Sequence, residues 1–358
     1  MKVVKKMTRR SFLKKGAAAA GALSVSGPLL LLPKKGQAAA DKGPIIFSTY
    51  GGAYGENMQK SVIDPFIKKT GIQVIRTSTP RYAKVKAMVD TGNVEWDVVD
   101  AEARVYYRGQ KIGLFVPLDW DLIGQKDNLV PGGAETHGAA NVFFAGVLAW
   151  RKEKFGQDNH PKGWADFFSF PGKRSTRGEA YATFEIALTG DGVPKDQLYP
   201  LDVERALRKL STVKKDIIFW ANTKMAINLL VSKETDFGYV GAGPVRKAIQ
   251  AGEPLAYTWN QATVGQDFLV IPKGSKQVEA AMKFIAYSMD PETQGRFSTN
   301  YNIGPSNVKA FDFMTAERRE VLCTSPSIRP LVIFRSGQYW AEHGEANAKR
   351  FEQWLTSG

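Results

Sequence analysis

The stretch Ile45-Ile46-Phe47-Ser48-Thr49-Tyr50-Gly51-Gly52-Ala53-Tyr54 decides how this chain begins to fold. Its first five residues form a short apolar strand, and its glycines form a turn. Between Glu56 and Lys69, apolar side chains recur at intervals of four, which predicts one buried face of a helix. Gly71 ends that helix, in the usual C-terminal role of glycine. The stretch therefore predicts a strand, a turn and a helix.

The residues that follow continue this alternation. Gln73 to Thr77 is the next predicted strand, Tyr82 to Thr91 is a helix, and Asp97 to Val99 is a buried strand. A βαβαβ order is typical of a parallel sheet with helices on both faces. The pattern occurs again after about residue 145, with strands at 143–149, 236–240 and 268–271 and helices at 203–210 (capped by Asp202), 244–251 and 340–355. We predict an α/β protein of two lobes, each a mostly parallel sheet flanked by helices, hinged around a central cleft.

The first forty residues have the features of an export signal. They contain Thr8-Arg9-Arg10-Ser11-Phe12-Leu13-Lys14, an uncharged run from Gly16 to Leu32, and Ala38-Ala39-Ala40. A basic region, an apolar region and a small-residue cleavage site make a signal peptide, and the paired arginines indicate twin-arginine export. The run is interrupted by Pro28 and is shorter than the about 20 apolar residues of a membrane span. We predict that residues 1–40 are removed and that the protein is periplasmic.

The net charge excludes a nucleic-acid-binding protein. The formal charge of +14 falls to +5 without the nine basic residues of 1–40, and no basic stripe interleaved with aromatic residues remains. Cys323 is the only cysteine, so the chain has no internal disulfide and no thiolate metal centre.

No recognisable catalytic motif is present. The three histidines lack metal-ligand spacing, and the chain has no G-x-S-x-G nucleophile motif after residue 40. Gly241-Ala242-Gly243 begins like a dinucleotide fingerprint, but Arg246 stands in place of the third glycine. We predict no enzyme activity, no cofactor and no metal.

Two glycine-containing loops follow predicted strands and lead into helices. They are Thr49 to Tyr54 and Tyr239 to Pro244, and Pro244 suits the first position of a helix. Ligands of open parallel sheets lie at the carboxyl ends of strands. Glycines there let the backbone approach a ligand, and the amides at a helix start bind anions. Both loops are therefore candidate ligand-binding segments.

Several motifs, in order and at matching spacing, resemble one family. They are Tyr50-Gly51-Gly52-Ala53-Tyr54, Pro65-Phe66, Thr70-Gly71-Ile72-Gln73-Val74, Asp97-Val98-Val99-Asp100, Gly113-Leu114-Phe115-Val116-Pro117-Leu118-Asp119, Tyr199-Pro200-Leu201-Asp202-Val203-Glu204-Arg205-Ala206, Ile271-Pro272-Lys273-Gly274 and Gly304-Pro305-Ser306-Asn307-Val308-Lys309-Ala310. From about residue 45 to 355, the chain resembles the family 1 extracellular solute-binding proteins of ABC importers, in the spermidine/putrescine-type branch.

The resemblance implies a type II periplasmic binding protein whose ligand is trapped in the cleft between the lobes. It implies a first lobe of residues 44–145 with 262–303, and a second lobe of residues 146–261 with 304–358. It also implies delivery to an ABC permease in the inner membrane. The other expected partners are the small-molecule ligand and, during export, the twin-arginine translocase; we expect a monomer.

The resemblance also guides the choice of site residues. Asp267 matches a carboxylate that binds ammonium in polyamine binders, whereas Gly265 stands where a tryptophan is expected. For Trp220 and Trp259, core burial and a ligand role stay equally open. The complete predicted set is Tyr50, Gly51, Gly52, Tyr54, Glu102, Arg104, Arg177, Glu179, Trp220, Gly241, Ala242, Gly243, Trp259 and Asp267.

The incomplete aromatic box favours a zwitterion, similar to an amino acid, over a long polyamine. Asp267, with Glu102 or Glu179, would hold the ammonium group. The amides of the two glycine loops, with Arg177 or Arg104, would hold the carboxylate. The alternatives are an exported enzyme on a related two-lobed fold and a receptor that hands its ligand to a chemosensor. The sequence does not identify the ligand.

Overall fold

The structure is a computed structural model that describes residues 43–77, 79–156 and 158–357. The predicted signal peptide lies outside the described residues. In these three ranges, no helix has both the length and the apolar character needed to cross a bilayer.

The strands of the described chain form one mixed sheet. They are β1 (Ile45–Ser48), β2 (Val74–Thr77), β3 (Val98–Glu102), β4 (Ala134–Glu135), β5 (Gly138–Arg151), β6 (Arg174–Arg177), β7 (Ile217–Trp220), β8 (Phe237–Gly241), β9 (Leu255–Val270), β10 (Gly304–Pro305) and β11 (Ile333–Phe334).

The α-helices cover both faces of this sheet. They are α1 (Gly52–Met58), α2 (Asp64–Thr70), α3 (Tyr82–Thr91), α4 (Ala103–Lys111), α5 (Trp120–Ile123), α6 (Trp164–Ser169), α7 (Ala180–Gly190), α8 (Val203–Ser211), α9 (Thr223–Val231), α10 (Ala242–Gln250), α11 (Val278–Met289), α12 (Pro291–Tyr301), α13 (Ala316–Arg319) and α14 (Gly337–Thr356). One π-helical turn, Gln59–Ile63, joins α1 to α2.

The order of the strands divides the sheet into two similar halves. The main path is β2-β1-β3-β9-β5-β8-β6-β7. Within each outer group of three, the strands are parallel, and the first strand along the chain lies in the middle. The long strands β9 and β5 run antiparallel between the groups. The predicted two-lobed α/β fold class is confirmed, and β5 and β9 join the two parallel groups into one mixed sheet.

The pairing of β5 with β9 breaks where the two halves meet. The register shifts between Gly146 and Leu148, so that Gly146 faces Thr263 while Leu148 faces Thr258. A bulge of this kind bends the strand and locally interrupts the ladder. We propose that the lobes divide here, close to the predicted boundaries at residues 145 and 262.

Two hydrophobic clusters stabilise the sheet. One packs α1, α2 and α11 against the first half, with Phe47, Phe66 and Phe284 fully buried. The other extends from α4 through the hinge strands to α7 and β8. Helix α14, which the sequence assigned to the second lobe, contacts both α4 and α7. Its Glu345 accepts from Arg108 of α4 at 2.5 Å, so α14 connects the two halves.

Several local predictions agree with the structure, and two need correction. Asp202 caps α8 by accepting from the amide of Arg205 at 2.9 Å, and Gly71 ends α2 with φ of 76°. Pro244 is the third residue of α10 and not the first, because the helix already begins at Ala242. The predicted strand at 268–271 is the end of the 16-residue strand β9, whose pairing with β5 extends it back to Leu255.

Candidate functional site

Two buried carboxylates lie at the centre of the site. Asp100 on β3 is fully buried, and Asp267 on β9 is 5% exposed. The Thr49 hydroxyl donates to Asp100 Oδ2 at 3.0 Å, and the Tyr54 hydroxyl donates to the same oxygen at 2.7 Å. Asp100 Oδ1 and Asp267 Oδ1 are both buried and have no hydrogen-bond partner among the described residues. We call these two atoms the open acceptors.

The sheet register explains why these acidic residues meet. Strands β3 and β9 pair antiparallel, so that Glu102 faces Asp267 and Asp100 faces Leu269. Directly paired residues lie on the same face of a sheet, and so do alternate residues of one strand. The three carboxylates of Asp100, Glu102 and Asp267 are therefore neighbours on one face. The end of β1 brings Thr49 to the same place.

Burial and mutual repulsion disfavour the ionised form of this cluster. Burial raises the pKa of Asp100 to about 6, although hydrogen bonds from Tyr54 and Thr49 oppose the rise. Burial, followed by the charges of Asp100 and Glu102, raises the pKa of Asp267 well above its usual value. A cation between the open acceptors would favour the ionised forms and so oppose both shifts. The cluster is therefore suited to a cationic group.

Aromatic side chains surround the carboxylates. Tyr50 and Tyr54 pack edge to face with ring centroids 5.6 Å apart, and Tyr301 packs against Tyr54 at 5.4 Å. The ring of Phe144, directly opposite Gly265, occupies the space that a side chain at Gly265 would need: a Cβ there would lie 2.5 Å from the ring. Tyr50, Phe144 and Tyr301 are only partly buried, so their rings can contact a ligand. Aromatic faces attract ammonium groups.

Tyr181 of α7 connects the second half to this cluster. Its hydroxyl donates to Glu102 Oε1 at 2.8 Å, while Arg104 Nε donates to Glu102 Oε2 at 2.6 Å. The guanidinium of Arg104 lies 4.0 Å from the centre of the Tyr181 ring. Both oxygens of Glu102 are therefore occupied by groups from two different helices.

Arg335, on the loop after β11, lies on the other side of Tyr181. Its guanidinium is 4.5 Å from the centre of the Tyr181 ring. Its Nη2 donates to the Thr263 hydroxyl at 2.8 Å and to the Tyr239 hydroxyl at 3.2 Å. The Tyr239 ring occupies the space where Gly146 lacks a side chain. The site thus has an acidic end at Asp267 and a basic end at Arg335.

The structure groups most of the predicted residues around these two ends. Tyr50, Tyr54, Glu102, Arg104 and Asp267 belong to the cluster described above. Gly51 and Gly52 precede Tyr54 at the start of α1 and are exposed. A side chain at either position would contact nothing within 4 Å.

The remaining predicted residues belong to the second half. Arg177 pairs with Glu179 at 2.9 Å and lies 6.0 Å from the Trp220 ring, which stacks on Tyr239. Gly241 caps α10, and Ala242 and Gly243 begin it. A Cβ on Gly243 would lie 3.4 Å from the carbonyl oxygen of Asn302, next to Tyr301.

Trp259 is not placed with the cluster. It packs edge to face on Tyr257 at 5.6 Å, within the part of β9 that pairs with the second half. Eight residues of strand separate it from Asp267, or about 26 Å.

Five contributors are missing from the sequence-based set: Asp100, Phe144, Tyr181, Tyr301 and Arg335. Asp100 could have been found, because it is a charged residue near the carboxyl end of a buried strand. The other four carry no local signal, since their positions depend on packing between distant segments.

An open, largely apolar cavity of about 710 Å³ lies elsewhere, and Phe311, Pro330, Ile333 and Phe334 line part of it. No predicted site residue lines this cavity. The open acceptors therefore favour the cluster, and not the cavity, as the functional site.

Comparisons with known proteins identify the family of this chain. Residues 61–318 match the family model described as bacterial extracellular solute-binding protein. A gamma-aminobutyric acid-binding protein of Pseudomonas aeruginosa is 32% identical over 315 residues, which cover 86% of this chain and 89% of that protein. A spermidine/putrescine-binding periplasmic protein of Salmonella typhimurium is 23% identical over 319 residues, covering 85% and 90%. A solved GABA receptor structure has a TM-score of 0.82 and 32% identity, covering 88% of this chain and 98% of that one.

Proposed function

Because this chain belongs to the family of bacterial extracellular solute-binding proteins, we propose that it captures a small zwitterion with an ammonium group, of the 4-aminobutyrate type. The family membership predicted from the sequence motifs is confirmed by the family match and by the relatives. The protein is a periplasmic substrate-binding protein that serves an ABC importer. Its ligand is the part of the function that we propose.

The observation that carries the proposal is the pair of open acceptors on Asp100 and Asp267. A buried carboxylate oxygen without a partner is costly, and an ammonium group from a ligand would supply the missing donors. The rings of Tyr50, Phe144 and Tyr301 would add cation–π attraction. An amine therefore suits this end of the site better than a neutral or anionic solute.

The basic residues near the site favour a zwitterion over a polyamine. Arg104, Arg177 and Arg335 all lie within 6.0 Å of a tyrosine or tryptophan ring of the second half. A second ammonium group would meet these cations, whereas a carboxylate would be attracted to them. Two similar proteins, each 32% identical, are named for binding GABA, which carries one ammonium and one carboxylate.

Thermal shift of the purified protein tests this proposal. The compounds are 4-aminobutyrate, putrescine, spermidine and butyrate. We expect saturable stabilisation by several degrees with 4-aminobutyrate and none with butyrate, because a ligand that binds only the folded state raises its melting temperature. Stabilisation by spermidine but by no amine that carries a carboxylate would refute the zwitterion.

The remaining partners and alternatives follow from the same role. We propose export by the twin-arginine translocase, function as a monomer, and no chemical reaction on the bound ligand. Prolonged incubation with 4-aminobutyrate, followed by mass spectrometry, should return the compound unchanged; a product would favour an exported enzyme. Loss of 4-aminobutyrate uptake on deletion, with normal chemotaxis, would separate an importer component from a receptor that serves a chemosensor.

A further inference from the structure

We propose that Arg335 binds the carboxylate of the ligand and so selects zwitterions over diamines. This inference rests on the proposed function, because it requires an ammonium group at Asp267.

The three arginines differ in how much hydrogen-bonding capacity they retain. Arg104 and Arg177 each hold a glutamate, at 2.6 Å and 2.9 Å, and their side chains are 41% and 42% exposed. Arg335 is only 3% exposed, and the carboxylate paired with it, on Glu185, is 3.7 Å away. That distance is too long for a hydrogen bond. A guanidinium with this burial attracts a ligand carboxylate more strongly than an exposed one does.

The surroundings of Arg335 fix its side chain without using all of its donors. Nη2 is held by Thr263 and Tyr239, whereas Nε is buried and meets no acceptor in the described part of the chain. Glu185 Oε1 accepts from Tyr199 at 2.7 Å and from Trp340 at 2.6 Å, which holds this carboxylate 3.7 Å from Arg335 Nε, and its Oε2 has no hydrogen-bond partner among the described residues. A buried donor without an acceptor is destabilising, and a ligand carboxylate would supply the acceptor that Arg335 Nε lacks.

The hinge strands place the two ends of the site in line. Thr263, which binds Arg335, lies on the same face of β9 as Asp267, because the two residues are four apart. Their Cα atoms are about 13 Å apart along the strand. Gly265 lies between them with the Phe144 ring over it. A short chain with an ammonium and a carboxylate would therefore lie across Phe144.

Titration calorimetry of wild type and R335Q, with 4-aminobutyrate and putrescine as probes, tests the assignment. Glutamine removes the charge and keeps a polar side chain of related shape. Removing one partner of a buried charge pair weakens binding by about 30-fold or more. We expect R335Q to bind 4-aminobutyrate at least about 30-fold more weakly than wild type does, and to bind putrescine with unchanged affinity. The ratio of the affinity for 4-aminobutyrate to the affinity for putrescine should therefore fall about 30-fold or more.

Two further variants separate recognition from folding. R151Q is the matched control, since Arg151 is another buried arginine, 13% exposed and 3.5 Å from Asp236, at the far end of β5. It should leave both affinities within about threefold of wild type. R335K keeps the charge but not the planar fork, and should lose affinity for 4-aminobutyrate alone even if R335Q does not fold.

Equal losses for both compounds, or unchanged affinity for 4-aminobutyrate in R335Q or in R335K, would overturn the assignment. Failure of wild-type protein to bind any amine would refute the proposed function, and this inference with it. Binding of 4-aminobutyrate by wild type and by R335Q alike would refute only this inference.

Discussion

In the first half of the molecule, the strand that borders the hinge is β3, and its third and fifth residues are Asp100 and Glu102. In the second half the corresponding strand is β8, whose third and fifth residues are Tyr239 and Gly241. The two strands have the same length, and each is the third strand from its own end of the main path. Each also pairs antiparallel with one of the two long hinge strands, β3 with β9 and β8 with β5. At these positions β3 carries two carboxylates, whereas β8 carries the hydroxyl of Tyr239, which accepts a hydrogen bond from Arg335. The two halves thus share a strand position but differ in charge, because β3 carries its own carboxylates whereas the cation beside β8 belongs to Arg335, on the loop after β11.

The largest effect should come from removing the charge at the acidic end. Asp267→Asn keeps the shape of the side chain but cannot attract a ligand ammonium. Loss of one partner of a desolvated charge pair costs about 2–5 kcal/mol, or about 30-fold to more than a thousandfold in affinity. Because the charges of Asp100 and Glu102 oppose ionisation of Asp267, the melting temperature without ligand should not fall.

Calorimetry and thermal melting of the same Asp267→Asn sample check both statements. Unchanged affinity with a lowered melting temperature would remove Asp267 from the site.

A smaller effect should follow from breaking the contact that joins the two halves. Tyr181→Phe removes the hydroxyl that donates to Glu102 and keeps the ring that packs against Arg104 and Arg335. A hydrogen bond to a charged group contributes about 1.5–3 kcal/mol, so affinity should fall about tenfold or more. Small-angle scattering with saturating ligand should show a less closed average shape. Affinity equal to wild type would show that Tyr181 does not join the halves in the ligand-bound state.

Acid should weaken binding by about tenfold between pH 7 and pH 5. The pKa of Asp100 is raised to about 6, so its carboxyl gains a proton in this interval and loses its attraction for a cation. For the neighbouring Asp267, burial and the charges of Asp100 and Glu102 raise the pKa, whereas Arg104 lowers it. Calorimetry in buffers of different ionisation enthalpy should detect release of a proton on binding near pH 6.

Stability without ligand should change in the opposite direction. Between the unfolded value near 4 and the folded value of about 6, the native Asp100 carboxyl binds a proton that the unfolded chain has released. The contribution of this group to the free energy of unfolding is therefore fully present at low pH and decreases as pH rises through 6.

A ligand affinity that does not change from pH 7 to pH 5 would contradict the proposal that the ligand cation binds between Asp100 and Asp267.

The smallest effect concerns the ring between the two ends. Phe144→Leu keeps an apolar side chain but removes the aromatic face, which should reduce affinity for 4-aminobutyrate about two- to fivefold. Phe143→Leu is the matched control, because Phe143 is buried on the opposite face of β5 and packs against Phe334. It should lower the melting temperature without changing affinity. Equal affinity in both variants would remove Phe144 from the site.

The predicted site residues include members of the acidic end but not Arg335, for a physical reason. Tyr50, Tyr54 and Asp267 lie next to strand ends that periodicity and motifs locate, so their position follows from local structure. Arg335 follows the two-residue strand β11, whose parallel pairing with β9 no local pattern indicates.

Trp259 shows the converse problem. The sequence predicted a strand that begins only at Phe268. Trp259 would then lie in a connecting segment before the strand, from which it could reach the cleft. In the structure β9 begins at Leu255, and its pairing with β5 carries Trp259 away from Asp267. The fold class and the lobes' parallel groups could be predicted, but the long hinge strands could not, because their length depends on partners more than 100 residues away.

The position of β9 also sets the order in which the chain can fold. This strand inserts between β3 and β5, although β3 ends at residue 102 and β9 begins only at residue 255. At the usual rate of synthesis, about 5–20 residues per second, β9 leaves the ribosome roughly 8–30 s after β3. Until then β3 and β5 each present an unpaired edge, and neither half has its full sheet. The architecture thus links completion of both halves to one late segment, so the chain folds as a whole only after most of it has been made.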